Sequence, residues 1–163
     1  MKKVSLYIAG KYSNFRGKGT CAYTLVYGSH KKSEVYDPNT FEYDIVSTAS
    51  VLLVAVLDGL RKLKEPCEVT ICTNNEVVIN TLKYLGYYER NGWKTKKNTD
   101  FKYKGICEKI AQVTKEHIIT LNNYLDKDTE KLVDDEVERL FRESRRSSGS
   151  SFHSYVGRRR RWW

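Results

Sequence analysis

The chain has 163 residues, of which 40% are hydrophobic and 30% are charged. This balance is typical of a folded globular protein and excludes a chain that is disordered throughout. The formal net charge is +9, and residues 141–163 hold seven arginines against one glutamate, so polyanions are the favoured partners. The longest apolar run, residues 51–57, is too short to span a bilayer, and residues 1–8 resemble no signal peptide. We therefore expect an intracellular, cytoplasmic protein with no membrane partner.

Alternating apolar and polar residues predict three strands in the first quarter of the chain, at residues 4–8, 20–27 and 34–36. Residues 9–19 hold four turn signals, among them Gly10 and Gly19, and predict the first loop. The short connections between these strands favour an antiparallel meander.

Helical and strand-like patterns then alternate along the chain. They predict a helix from Ser47 or Thr48 to about Leu63, a strand at 68–73, a helix at 76–84 that stops at Gly86, a basic and aromatic loop at 87–104, a helix at 106–115, a strand at 118–125 and a helix at 128–142. A strand between two helices usually carries its chemistry at its carboxyl end, and Asn74 stands there. The four cysteines match no zinc spacing and are expected to be reduced core residues.

Three stretches of the chain resemble one known family, the bacterial type 1 ribonucleases H. Residues 63–69 look like that family's helix-to-strand junction, and residues 91–95 with 98–100 look like its basic protrusion. Residues 117–120 look like its last strand, and the resemblance covers about residues 4–140. It implies an α/β, RNase H-like fold with a five-stranded mixed sheet, in which three antiparallel strands precede parallel strands and helices flank the sheet.

The resemblance also implies a catalytic site. The family cleaves the RNA strand of RNA–DNA hybrids with two divalent metal ions held by four acidic residues, because hard cations take oxygen ligands. At the positions that match the first three of these acids, the chain has Ala9, Leu52 and Asn74. Asp134 or Asp135 matches the fourth.

One carboxylate cannot hold two Mg²⁺ ions, since an amide oxygen carries no charge and Ala and Leu have no ligating atom. Ala9, Leu52 and Asn74 therefore predict a chain that is not an enzyme and uses no metal or other cofactor. The expected function is binding of RNA, or of an RNA-containing duplex, with little sequence specificity.

Basic residues, interleaved with aromatic rings in the second of two loops, predict where the body would bind RNA. Lysine and arginine neutralise phosphates, and aromatic rings stack on bases. The candidates in the first loop are Lys11, Arg16 and Lys18, and those in the second are Arg90, Trp93, Lys94, Lys96, Lys97, Lys102 and Lys104. In the alternative interpretation of the second loop, Trp93 is buried and the lysines are merely solvated.

Residues 144–163 form a predicted basic tail, rich in Arg, Ser and Gly, beside a folded domain at 1–143. This composition predicts disorder, and arginine-rich disordered segments bind RNA and favour condensates with it. The candidate residues are Arg145, Arg146, Arg158, Arg159, Arg160 and Arg161. Trp162 and Trp163 could instead dock into a protein partner.

Two other functions stay open. The first is an active, metal-dependent ribonuclease H with relocated carboxylates, drawn from Asp134, Asp135, Asp44 or Glu42. The second is a scaffold that holds another protein. A degenerate catalytic fold with a basic tail is also common among viral and phage proteins, which suggests such an origin.

Overall fold

A computed structural model of the protein describes residues 1–13, 18–36, 38, 45–95, 97, 101–122 and the single positions 128, 131, 134, 135, 138, 139 and 142. Over these residues the elements are, in chain order, β1 (Lys2–Ser13), β2 (Lys18–Tyr27), β3 (His30–Tyr36), α1 (Thr48–Arg61), β4 (Cys67–Cys72), α2 (Glu76–Lys83), α3 (Leu85–Arg90), α4 (Lys104–Thr114) and β5 (Ile118–Asn122). The described positions between 128 and 142 have helical backbone, in agreement with the helix predicted there.

The sheet has the strand order β3-β2-β1-β4-β5. The pairs β1–β2 and β2–β3 are antiparallel, whereas β1–β4 and β4–β5 are parallel. β1 is therefore the central strand. The carboxyl end of β4 lies beside the middle of β1, with Cys72 opposite Tyr7, and β1 continues six residues further, to Ser13. This arrangement confirms the predicted five-stranded mixed sheet with flanking helices.

α1 is the buried helix around which the domain is built. Eleven of its residues are buried, so all faces of the helix contact protein. Its start is fixed by a capping box, in which the Ser47 Oγ accepts from the Ser50 N–H at 3.2 Å and the Ser50 Oγ accepts from the Ser47 N–H at 3.1 Å. This box places the N-terminus of α1 at a defined point beside the sheet.

Two glycines lie in strands, not in turns as predicted. A Cβ at Gly10 would come within 2.7 Å of the Val51 Cγ1, and one at Gly19 within 2.5 Å of the Val51 Cγ2. Both glycines are needed where β1 and β2 meet α1, because any larger residue would push the helix away. The β1–β2 ladder consequently extends to the pair Ser13–Lys18, further than the sequence predicts.

The predicted helix stop at Gly86 is wrong, because Gly86 lies inside α3. The Tyr88 N–H donates to the Tyr84 O at 3.0 Å, so helical hydrogen bonding continues past the end of α2. Burial of Leu85 and packing of Tyr88 against the core favour this second helix over a loop. Part of the predicted loop at 87–104 is thus helical.

All four cysteines are free and buried, as predicted. Burial raises the pKa of the Cys72 thiol to about 11 and that of the Cys107 thiol to about 12. Thiols of this kind are unreactive core groups.

Candidate functional site

The candidate site is the carboxyl end of β4, beside the part of β1 that follows Tyr7, and the N-terminus of α2 also lies there. Ala9 near the end of β1 and Leu52 in α1 are each 5% exposed. Asn74 follows β4 and is exposed. Its neighbours fix the turn, because the Thr73 N–H donates to the Asn122 O at 3.1 Å and the Asn75 Oδ1 caps α2 by accepting from the Val78 N–H at 3.1 Å.

The side chains at this edge do not fit the two-metal cluster of four acids. Ala9 and Leu52 are apolar and buried, and Asn74 offers a neutral oxygen. Among the residues that the structure describes, no group of three or more His, Cys, Asp or Glu side chains could hold a metal ion. Asp44 and Glu42, two of the alternative carboxylates, lie outside the described residues.

An ion pair joins β1 to the helical positions near the end of the domain. The Lys11 Nζ contacts the Glu138 carboxylate, which also accepts from the Arg142 Nε at 3.3 Å. The hydrogen bond from Lys11, assisted by both positive charges, lowers the pKa of Glu138. Lys11 follows Ala9 by two residues on the same face of β1, so Glu138 lies beside this part of the strand.

Basic residues from two separate parts of the chain stand next to residues that lie near the N-terminus of α1. Lys18 is exposed and precedes Gly19, whose Cβ position lies 3.7 Å from Ile45. On the other side, the Tyr103 hydroxyl bonds the Ser47 Oγ at 3.0 Å, which brings Lys102 and Lys104 to the same helix end. The positive end of the helix dipole adds to their charge, so phosphate groups are favoured there.

The remaining candidates of the body lie along α3 and the loop that follows it. Arg90, Lys94 and Lys97 are exposed, as is Lys102, whereas Lys104 is partly buried and pairs with Glu108 at 3.9 Å. Several predicted binding residues lie outside the described part of the chain, namely Arg16, Lys96, Arg145, Arg146 and Arg158 to Arg161. Trp162 and Trp163 lie outside it as well.

The prediction that Trp93 binds nucleic acid has to be corrected, because the structure places this residue in the core, where it is 8% exposed. Its backbone has a φ of 62°, the N–H donates to the Tyr88 O at 2.8 Å, and the carbonyl accepts from the Phe101 N–H at 2.7 Å. A ring held in this way cannot stack on a base. Phe101 is also engaged, since its ring stacks on Tyr88 with centroids 4.3 Å apart.

Two exposed rings were missed by the sequence analysis. Tyr84 and Tyr87 are 47% and 48% exposed at the junction of α2 and α3. The signal that could have found them is their spacing of three residues, which places both rings on one face of a continuing helix. The predicted stop at Gly86 concealed it.

The sequence profile of the RNase H family matches residues 1–123. The chain belongs to the RNase H family. It is 29% identical over 148 residues to the Ribonuclease H of Acetivibrio thermocellus, covering 85% of this chain and 97% of that protein. It is 32% identical over 124 residues to the Ribonuclease H of Clostridium botulinum, covering 73% of this chain and 80% of that protein.

Solved structures show the same fold at low sequence identity. LC9-RNase H1, a type 1 RNase H with the type 2 active-site motif, superimposes with a TM-score of 0.63 at 12% identity, covering 85% of this chain and 70% of that one. The foamy viral protease-reverse transcriptase in complex with dsDNA gives a TM-score of 0.62 at 14% identity, covering 85% and 92%.

The relatives also correct a prediction, namely that the chain is not an enzyme. Proteins about 29% identical over most of the chain are named Ribonuclease H, which points to an enzyme, so that prediction is wrong. The prediction considered only the positions of Ala9, Leu52 and Asn74 and left out oxygen atoms that other segments of the chain supply.

Among the described residues, no helix is both long and apolar enough to cross a membrane.

Proposed function

We propose that this member of the RNase H family acts on RNA–DNA hybrids as a ribonuclease H. The observation that carries the proposal is the match to the Ribonuclease H of Acetivibrio thermocellus, which covers 97% of that protein's length. A foamy viral protease-reverse transcriptase of the same fold has been solved in complex with an RNA/DNA hybrid, at a TM-score of 0.56 and 16% identity.

The basic residues around the N-terminus of α1 support binding of the hybrid. Lys18 precedes Gly19, whose Cβ position lies near Ile45, and Lys102 and Lys104 flank Tyr103, whose hydroxyl bonds Ser47. Contacts to phosphates and 2′-hydroxyl groups fit a hybrid with a wide, shallow minor groove, and they carry little sequence preference. The affinity should therefore fall steeply as salt is added.

The acidic groups of the reaction must come from other positions than Ala9, Leu52 and Asn74. Asp134 and Asp135 are the described candidates, because Glu138, one helical turn further on, contacts Lys11 at this edge. The described residues do not form a cluster that fits two metal ions.

Hydrolysis of a labelled hybrid in the presence of Mg²⁺ or Mn²⁺ tests this function. Asp134→Asn or Asp135→Asn should reduce cleavage at least about tenfold, as expected when a carboxylate that acts as a general base is lost. Asp128→Asn, a matched change at another described helical position, should cleave as the unchanged protein does. An intact hybrid, bound but never cut by the unchanged protein, would overturn the catalytic part of the proposal and leave hybrid binding in place.

The tail supports a second, finer part of the proposal, namely that residues 144–163 add affinity for RNA. Seven arginines against one glutamate in residues 141–163 carry this part. Arginine pairs bidentately with phosphate and stacks on bases, and a tethered basic segment raises affinity through its effective concentration. Replacing the six tail arginines by glutamine should weaken RNA binding and flatten its salt dependence.

Replacing Trp162 and Trp163 by alanine should leave RNA binding unchanged if these rings serve a protein partner.

A further inference from the structure

The side chain of Lys11 in β1 holds a carboxylate that belongs to the last described helical positions of the chain. The Lys11 Nζ contacts the Glu138 carboxylate, and the Arg142 Nε donates to the Glu138 Oε1 at 3.3 Å. The hydrogen bond from Lys11, together with both positive charges, lowers the pKa of Glu138, so this carboxylate is ionised at neutral pH. One anion therefore lies between a cation of the sheet and a cation of its own helical stretch.

Lys11 stands on the part of β1 that extends beyond the end of β4. Cys72, the last residue of β4, lies opposite Tyr7. Lys11 comes four residues after Tyr7 and points to the same face of the strand as Tyr7 and Ala9. Since a strand rises about 3.4 Å per residue, the Lys11 Cα lies about 7 Å along the strand from that of Ala9. The contact to Glu138 is thus made at the rim of the candidate site.

Asp134 lies on the same side of the helical stretch as Glu138. The two residues are four positions apart, and the described positions between 128 and 142 have helical backbone. The contact between Glu138 and Arg142, which are also four positions apart, shows that side chains with this spacing meet here. Asp134 is therefore about one helical turn, or about 6 Å along the helix axis, from the residue that Lys11 holds.

The ion pair adds little to the stability of the fold as a whole. The Lys11 and Glu138 side chains are 45% and 32% exposed, and ion pairs that water reaches stabilise folded proteins only weakly. Such a contact can still fix a position, and a reacting group that is displaced by about 1 Å can lose about 100-fold in rate. The loss of this ion pair should thus appear in the rate of a reaction and not in the unfolding curve.

We propose that Lys11 is a positioning residue, which holds Glu138 and thereby sets the place of Asp134 at the candidate site. This inference rests on the proposed function, in which Asp134 is a candidate carboxylate of the reaction. It gives Lys11 a role other than the phosphate contact that the sequence predicts.

Steady-state cleavage of a labelled RNA–DNA hybrid by the full chain, in the presence of Mg²⁺, tests this role. Lys11→Met should lower kcat at least about tenfold and change KM less than about twofold, because the hybrid still binds while the carboxylate is displaced. Lys11→Arg should retain about half of kcat or more, since a guanidinium group also pairs with a carboxylate. Lys3→Met is the matched control, because Lys3 is an exposed lysine on the same face of β1, and it should cleave as the unchanged protein does.

A double-mutant cycle separates positioning from direct contact with the hybrid. Because Lys11 acts through Glu138, the combination of Lys11→Met with Glu138→Gln should lower kcat no further than the more severe of the two single variants. Arg142→Gln removes the other cation at Glu138 and leaves the contact to β1 in place, so it should keep kcat.

Hydrogen exchange of the full chain without nucleic acid, followed by mass spectrometry, gives a measurement that does not depend on activity. Lys11→Met and Glu138→Gln should each raise the exchange rate of residues 128–142 by about threefold or more and leave that of α1 unchanged. The midpoint of thermal unfolding should move by less than about 2 °C in both variants.

Three results overturn the inference. The first is a Lys11→Met protein whose KM rises while kcat holds, as the loss of a phosphate contact would give. The second is a double variant in which the two single effects multiply, and the third is exchange at residues 128–142 that Lys11→Met leaves unaltered. An unchanged protein that cuts no hybrid would instead overturn the proposed function, and the exchange rates would then still decide whether Lys11 holds this stretch.

Discussion

Removing the Ser47 hydroxyl should break two hydrogen bonds at once, the cap of α1 and the bond between α1 and the start of α4. The Ser47 Oγ caps α1 through the Ser50 N–H at 3.2 Å and bonds the Tyr103 hydroxyl, at the start of α4, at 3.0 Å. Loss of an N-cap costs about 0.5–2 kcal/mol, and loss of a side-chain hydrogen bond costs about 0.5–1.5 kcal/mol. Ser47→Ala should therefore lower the free energy of unfolding by about 1–3 kcal/mol.

Urea unfolding followed by circular dichroism measures this change, and thermal unfolding should show a Tm lower by about 2–12 °C for a chain of this size. Tyr103→Phe removes only the bond between α1 and α4 and should cost about 0.5–1.5 kcal/mol. The double variant should then cost less than the sum of the two single variants, by a coupling energy of about 0.5–1.5 kcal/mol.

Ser29→Ala is the matched control, because Ser29 is an exposed serine in the turn between β2 and β3. Its free energy of unfolding should change by less than about 0.5 kcal/mol. Strict additivity of Ser47→Ala and Tyr103→Phe would refute the reasoning, since it would mean that the hydroxyl pair does not hold the two helices together.

Three further predictions concern other parts of the domain. The Cys67 N–H donates to the His117 Nδ1 at 3.1 Å, and burial lowers the pKa of His117. The contribution of neutral His117 to stability should therefore be fully present above about pH 6.5 and should fall as the pH drops toward the folded-state pKa. In a pH series of urea unfolding, His117→Gln should lack this decrease. Gly19→Ala should destabilise by about 1–3 kcal/mol in thermal unfolding, because its Cβ would collide with Val51, although β propensity alone predicts a gain of about 0.5–1 kcal/mol. Trp93→Ala should cost about 3–5 kcal/mol of stability by urea unfolding, and affinity for the hybrid that fell while stability held would contradict its place in the core.

Most of the strands and helices could be predicted from the spacing of apolar residues within short segments. Alternation in β1, β2 and β4 and continuous apolar spacing in α1 are properties of short segments, so the sequence contains them directly. Gly10 and Gly19 were misjudged for the opposite reason. Their role depends on Val51, about 30 to 40 residues away, and a glycine that makes room for a helix looks the same as a glycine in a turn.

The candidate site was harder to predict, since exposure is a tertiary property. Trp93 and Tyr87 both belong to a basic and aromatic stretch, yet Trp93 is buried and Tyr87 is half exposed. The difference arises because Gly92 and Trp93, with φ of 64° and 62°, turn the chain back and aim the indole inward. The activity was predicted wrongly because the prediction rested on Ala9, Leu52 and Asn74 alone. The similarity to proteins named Ribonuclease H extends over 85% of the chain and cannot be seen at three positions.

The parallel pairing of β1 with β4 governs the order in which the domain can form during synthesis. Val4 lies opposite Val69, and Val69 lies opposite Ile119, so each parallel neighbour is made long after the strand it joins. β1, β2 and β3 can pair as soon as they leave the ribosome, but one edge of β1 then stays open until β4 has emerged. An open strand edge invites pairing with other chains. The nascent protein should therefore be most dependent on chaperones during the interval between its third and fourth strands.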